Sequence, residues 1–152
     1  MKRLLYLICI LLAVAACKEE FEAPPKAMLQ VNFLNSITKD TISSKTTMKG
    51  WGQEYLWVKD SVLQDILLPL SSNDSTRFIV SFDSVIDTIT FFHQTILKYE
   101  SMESGFYNEY KLRSIVNTKN RIDSVEISDS LITKNWNENI KLYLHPLSIS
   151  DN

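Results

Sequence analysis

The chain contains few of the residues on which catalysis and metal binding usually depend. Only two histidines, His93 and His145, occur among its 152 residues, and no serine stands in a Gly-x-Ser-x-Gly motif, so no nucleophile has an identifiable base. The close spacing of ligands that zinc requires and the calcium loop Asp-x-Asp-x-Asp-Gly are both missing. The sequence therefore predicts no catalytic residues, no metal site and no cofactor.

Positive charge and glycine are also scarce. The formal net charge is −2, and removal of Lys2 and Arg3 would take it to −4. Such a chain lacks the basic surface of a nucleic-acid-binding protein, so nucleic acid is not an expected partner. Three glycines leave little scope for long flexible loops, and turns must be built mainly from Asn, Asp and Ser.

Both cysteines lie near the start of the chain, at Cys9 and Cys17. An apolar run over 4–16 follows two basic residues, which is typical of a secretory signal peptide and too short to span a bilayer. The run ends in Val-Ala-Ala-Cys and resembles a bacterial lipobox, in which the Cys is acylated and the chain is cut just before it. We therefore predict a signal peptide over 1–16 and lipidation at Cys17, which makes the membrane a partner. The alternative is an ordinary signal peptide beside a chance cysteine.

Residues 17–27 are predicted to be the lipidated Cys and a linker, which Pro24 and Pro25 stiffen. A Cys followed at once by Lys18 and acidic residues resembles the surface-export signal of Bacteroidota lipoproteins. Lys18 also stands where inner-membrane lipoproteins typically carry aspartate. The resemblance implies an outer-membrane anchor, with the outward face favoured over the periplasmic one.

From Met28 onward, apolar and polar residues alternate, and β-branched and aromatic residues are frequent. This pattern predicts strands near 28–35, 41–50, 54–59, 76–83, 87–99 (as two strands), 106–115, 121–128 and 138–145. Residues 61–70 fit either a short helix or extended chain. We expect one all-β domain over 28–147 and a tail over 148–152. The expected fold is an antiparallel β-sandwich of immunoglobulin-like or transthyretin-like size, with a small β-barrel as the alternative.

Five short segments occur in a recognisable order: Leu68-Pro-Leu with Asp74-Ser-Thr, Asp87-Thr-Ile-Thr-Phe, Ser104-Gly-Phe, Ile122-Asp-Ser-Val-Glu-Ile and Glu138-Asn-Ile-Lys-Leu-Tyr. Together they resemble an uncharacterised lipoprotein family of Bacteroidota, a domain of unknown function, over about residues 28–145. The family often has Cys before Gly-Phe, where this chain has Ser104, so a disulfide at that position is not possible here. The resemblance implies an extracytoplasmic β-domain and supplies no activity.

Aspartate is distributed in an unusual way. Seven of the nine aspartates head a triplet of Asp, then Ser or Thr, then a small, aliphatic or Thr residue, where composition alone predicts about 0.6. Such pairs make good turns before strands. The triplets also resemble the acceptor motif of periplasmic O-glycosylation in Bacteroidota. Ser75, Ser84 and Ser130 are the favoured acceptors, whereas Thr88 and Ser124 are expected to lie nearer strand interiors.

Three aromatic residues, Trp51, Tyr55 and Trp57, would share one face of an unbroken strand. Such a row can stack on sugars, but it more often faces a sandwich core. We favour the core, and note that Gly50 and Gly52 could break the strand.

These observations predict a non-enzymatic lipoprotein anchored in the outer membrane. Its role would be binding or assembly in the cell envelope, with an unknown envelope protein or glycan as partner. The first alternative is a carbohydrate-binding module at Trp51, Tyr55 and Trp57. The second is a hydrolase that depends on His93.

Overall fold

The structure is a computed structural model that describes residues 26–147. The predicted signal peptide, Cys17, most of the linker and the tail lie outside these residues. Within 26–147 the chain forms ten strands: β1 (Leu29–Asn35), β2 (Ser44–Gly50), β3 (Leu56–Leu63), β4 (Asp65–Leu68), β5 (Ser75–Phe82), β6 (Val85–Ser101), β7 (Gly105–Asn117), β8 (Ile122–Ile127), β9 (Leu131–Ile132) and β10 (Glu138–Leu144). No helix in this range is long and apolar enough to cross a bilayer.

The strands form two sheets that pack face to face. The smaller sheet has the order β4-β1-β10-β8 and the larger has the order β3-β2-β5-β6-β7-β9. Neighbouring strands are antiparallel except β1 and β10, which run parallel. The predicted β-sandwich is confirmed. The barrel alternative is wrong, because neither sheet closes on itself within residues 26–147.

The core follows from alternation along the strands. In β1, Leu29, Val31 and Phe33 are buried while the residues between them are partly exposed, as expected when one face of a strand meets the opposite sheet. Phe33 meets Phe82 of the larger sheet edge to face, with ring centroids 5.2 Å apart. Each buried side chain of this size contributes about 1.5–3 kcal/mol of transfer free energy. Ala27, which the sequence assigns to the linker, is also part of this core.

Two predictions of secondary structure are wrong. The helix alternative for 61–70 fails, because this stretch is the end of β3 followed by β4. The prediction of two strands within 87–99 also fails, because β6 is one strand of 17 residues. A β-bulge between Phe92 and His93 interrupts the alternation of buried and exposed residues along β6. The sequence pattern therefore resembles that of two separate strands.

A two-residue turn joins β5 to β6. Its residues Asp83 and Ser84 both have positive φ, 49° and 74°, which is the type I′ geometry that matches the twist of a hairpin. Asp83 also accepts hydrogen bonds from the Ser44 hydroxyl and the Lys45 backbone N–H, and it pairs with the buried guanidinium of Arg121 at 3.0 Å. This aspartate therefore ties the turn to β2 and to the segment before β8.

Candidate binding site

Trp51, Tyr55 and Trp57 lie at the surface, with 56%, 74% and 41% of each residue exposed. The expectation that they face the core is wrong. Residues 51–55 form the turn between β2 and β3, and Gly52 takes a φ of 73° that ends the strand. Because the strand is broken at this turn, the alternation of side-chain direction along a strand does not relate Trp51 to Trp57.

The three aromatic side chains surround one groove of about 640 Å³, which we call the aromatic groove. The turn supplies one wall, and the segment from Pro69 to Phe78 supplies the other. Its polar lining includes Gln53, Asn73, Ser75 and Arg77. Flat apolar rings beside a few polar groups are the usual make-up of a small-ligand site.

Two of the three rings of the aromatic groove, those of Trp51 and Trp57, are held in place by polar contacts. The Trp57 indole N–H donates to the Leu67 carbonyl at 2.9 Å. The Arg77 guanidinium lies over the Trp51 ring, 5.0 Å from its centroid, and its Nε donates to Thr90 Oγ1 at 3.0 Å. A cation in this position is attracted to the ring face. The groove is therefore largely preformed.

A second groove of about 550 Å³ adjoins the first and shares Trp57, Pro69 and Leu70 with it. Its other wall comes from Phe106, Tyr107 and Tyr110 of β7, together with Lys26–Met28 and Lys134. We call it the tether groove because Lys26 and Ala27, the end of the predicted linker, line it. Lys134 lies 3.8 Å from the centroid of the Tyr107 ring and pairs with Glu100.

No pattern in the sequence indicated the tether groove or Arg77 as a partner of Trp51. Phe106 and Tyr107 lie about fifty residues after Trp57 in the chain, and only the folded state brings them to one groove. The one available signal was the presence of two adjacent aromatic residues at the start of a predicted strand.

His93 lies behind the aromatic groove and is fully buried. Its Nε2 is 2.9 Å from Thr76 Oγ1, and this hydroxyl also accepts from the Ser71 backbone N–H at 2.9 Å. The His93 ring packs edge to face on the Tyr110 ring. The Tyr110 hydroxyl donates to the Leu70 carbonyl. Within the described residues His93 Nδ1 has no hydrogen-bond partner. His93 thus supports Thr76 and Ser71, which line the groove.

Acid should destabilise the fold through His93. Burial lowers its pKa below the ordinary 6.5, although the charge of Asp74 acts in the opposite direction. A depressed pKa means that His93 contributes stability above pH 6.5, which is lost as the pH falls from 6.5 through the lower folded value. Urea unfolding between pH 8 and pH 5 should show this decline. His93→Phe should remove it, whereas His145→Gln, at an exposed site, should retain it. An unchanged slope in His93→Phe would contradict the assignment.

The favoured acceptor residues of the aspartate triplets differ in exposure. Ser75 and Ser84 are exposed, whereas Ser130 is half-buried. Ser124, expected to be shielded in a strand, is exposed because β8 is an edge strand. O-glycosylation at Ser75, Ser84 or Ser130 stays a prediction. The test is the mass of the protein isolated from the native host. A mass above that of the acylated chain would support glycosylation, and an equal mass would contradict it.

Several of the triplet aspartates have clear structural partners. Asp129 accepts from the Leu131 backbone N–H and from the Asn137 side-chain amide, and these bonds lower its pKa. Asp83 holds the turn before β6, and the Asp87 carboxylate accepts hydrogen bonds from Thr118 and from the backbone of residues 120–122. Three of the seven triplet aspartates therefore have a structural role of their own.

The described residues contain no group of three or more His, Cys, Asp or Glu side chains placed to hold a metal ion. His145, at the end of β10, is exposed and lies 3.8 Å from Asp123.

Comparison with known proteins gives one match. A family model described as a family of unknown function, DUF6452, matches residues 34–144. No curated protein and no solved structure matches the chain. The match confirms the resemblance to a domain of unknown function. The matched range contains Trp51, Tyr55 and Trp57, and it begins after Lys26–Met28 of the tether groove.

Proposed function

This chain belongs to the DUF6452 family of unknown function, and from that premise we propose that it is a lipid-anchored, non-enzymatic binding protein of the bacterial cell envelope. The observation that carries the binding role is the aromatic groove, in which three exposed aromatic side chains of the β2–β3 hairpin line one cavity. Exposed apolar surface costs solubility and usually marks a place where something binds.

The anchor is Cys17, supported by the apolar run before it and by the Val-Ala-Ala-Cys sequence. One acyl chain would give only marginal, reversible binding to a membrane, whereas two or three make attachment effectively permanent. The residues Lys18, Glu19 and Glu20 after it support an outer-membrane position, with the outward face favoured.

Replacement of Cys17 by serine is expected to abolish lipidation. The hydroxyl is not an acceptor for the lipid, so an unprocessed precursor should accumulate in the native host. Growth with an alkynyl fatty acid, followed by fluorescent labelling and gel electrophoresis, measures the result. Cys9→Ser is the matched control and should label like the native protein. Equal labelling of Cys17→Ser and the native protein would refute the anchor.

Carbohydrate is the ligand class that the aromatic groove fits best, and an envelope protein is the other candidate. Fixed aromatic rings offer flat apolar surfaces to the faces of a sugar, while Gln53, Asn73 and Arg77 can hydrogen-bond its hydroxyl groups. The restraint on Trp57 and Trp51 described above favours this use, because rigid rings lose little conformational entropy on binding.

Glycan binding should depend on Trp57, which lines both grooves. Trp57→Ala is expected to weaken binding about tenfold to thirtyfold, the usual effect of removing a central aromatic contact. Depletion of the acyl-free chain from solution onto insoluble polysaccharides measures glycan binding. Crosslinking in native outer membranes tests for a protein partner. Tyr143→Ala is the matched control, since this aromatic residue is partly exposed on β10 and lines neither groove. No depletion by any polysaccharide, or equal depletion of both variants, would refute glycan binding.

A further inference from the structure

The far ends of β6 and β7 form a two-stranded ribbon that no third strand joins. β5 pairs with β6 only as far as Phe92, and β9 pairs with β7 only at Tyr110 and Lys111. From Ile96 to Glu109 the two strands therefore pair only with each other. We call residues 96–109 the ribbon.

The two sides of the ribbon differ in chemistry. Leu97, Tyr99 and Phe106 lie on the side that continues the buried face of Tyr110, because they are separated from it by the strand period of two. They are 66%, 58% and 65% exposed, and Met102 at the turn is 93% exposed. The Tyr99 and Phe106 rings pack edge to face at 5.3 Å.

The opposite side of the ribbon is charged. Lys98 pairs with Glu109 at 3.9 Å, and Glu100 pairs with Lys134. Around the ribbon and the tether groove, Lys26, Lys98 and Lys134 balance Glu100, Glu103 and Glu109. No charge of one sign is therefore available to attract an oppositely charged partner.

The position of the proposed tether favours the bilayer as the surface that this apolar side faces. Lys26 lines the tether groove together with Phe106, and its carbonyl accepts from the Trp136 indole N–H at 2.9 Å. Eight residues of chain separate Lys26 from Cys17, so this end of the domain lies within about 30 Å of the proposed anchor. Ile37, Ile86 and Val116 lie at the other ends of β1, β6 and β7.

We propose that the tip of the ribbon is a membrane-contacting element, in which Leu97, Tyr99, Met102 and Phe106 enter the headgroup region of the bilayer that holds Cys17. This inference rests on the proposed lipid anchor. Tyrosine beside aliphatic and aromatic residues suits the membrane interface, where one end of a side chain is apolar and the other is wet. Balanced charge implies binding that depends little on anionic lipid or salt. A tip that rests on the bilayer would fix the orientation of the aromatic groove.

Flotation with phosphatidylcholine vesicles tests the ribbon without the anchor. The probe is the chain from Lys18 onward, which retains every described core residue and whose folding circular dichroism can verify. We expect this chain to float, and Leu97→Ser/Met102→Ser/Phe106→Ser to partition at least tenfold less. The matched control is Ile37→Ser/Ile86→Ser/Val116→Ser, whose residues are 72%, 61% and 61% exposed, and it should float like the native chain.

A labelled variant provides an independent measurement. The chain from Lys18 onward contains no cysteine, so Met102→Cys carries a single environment-sensitive dye, and Ile37→Cys serves as its control. The dye at position 102 should shift to shorter wavelength on addition of vesicles, while the dye at position 37 should not.

Failure of the native chain to float, equal partitioning of the two triple variants, or equal dye shifts would overturn the proposal. Crosslinking of the ribbon to a membrane protein without flotation would make it a protein interface instead, and would equally overturn it. These outcomes are distinct from failure of the anchor, which the Cys17→Ser labelling reports separately.

Discussion

Asp87→Ala is expected to lower the free energy of unfolding by about 3–5 kcal/mol. Asp87 is 1% exposed, and its carboxylate accepts four hydrogen bonds. The donors are the Thr118 hydroxyl at 2.6 Å and the backbone N–H groups of Asn120, Arg121 and Ile122 at 2.9, 2.7 and 3.1 Å. Alanine would leave these donors without their acceptor, and the Arg121 and Ile122 groups are buried.

Urea unfolding followed by circular dichroism measures the effect on the acyl-free chain. Asp65→Ala is the control, because Asp65 is exposed and accepts one bond, from the Gln30 side chain at 3.3 Å. It should change the free energy of unfolding by less than about 0.5 kcal/mol. A loss below about 1 kcal/mol for Asp87→Ala would show that water replaces the carboxylate, contrary to this account.

Phe82→Ala is expected to cost a similar amount, about 3–5 kcal/mol, for a different reason. Phe82 is fully buried and its ring meets Phe33 across the interface between the two sheets. Truncation removes both the apolar transfer free energy and the dispersion contacts of the cavity lining.

Phe92→Ala offers a control of the same residue type. Phe92 lies on β6 and is 38% exposed, so its loss should cost about 1 kcal/mol or less. The difference between the two midpoints in urea is the quantity to compare. Equal costs would mean that the sheets do not depend on the Phe33–Phe82 contact.

Local patterns in the sequence predicted most strands but could not predict how they pair. The alternation in β1 and β10 places both strands within one residue of their observed bounds, because each packs one face on the core. Their parallel pairing depends on residues about 109 positions apart, such as Gln30 and Asn139. The two-residue strand β9 is too short to show any period, and it was not predicted.

The sequence predicted which aromatic residues form the candidate site, but it did not predict that they are exposed or which residues surround them. Trp51, Tyr55 and Trp57 were identified from their spacing, yet that argument assumed an unbroken strand and favoured the core. A single glycine with positive φ reverses the conclusion by turning the chain outward. The other walls of the two grooves come from β5, β7, the segment that begins at Pro69 and the residues just before β1, and such proximity is a property of the folded state alone.

The parallel pairing of β1 with β10 also constrains the order in which the domain can assemble. A polypeptide that is synthesised or exported from its amino end presents Leu29–Asn35 long before Glu138–Leu144. Until β10 arrives, β1 has only the four-residue β4 beside it, and its other edge displays unpaired backbone groups next to Val31 and Phe33. Such edges recruit neighbouring chains. Assembly of the smaller sheet must therefore be a late event, and a nascent chain halted before residue 138 would be prone to aggregate.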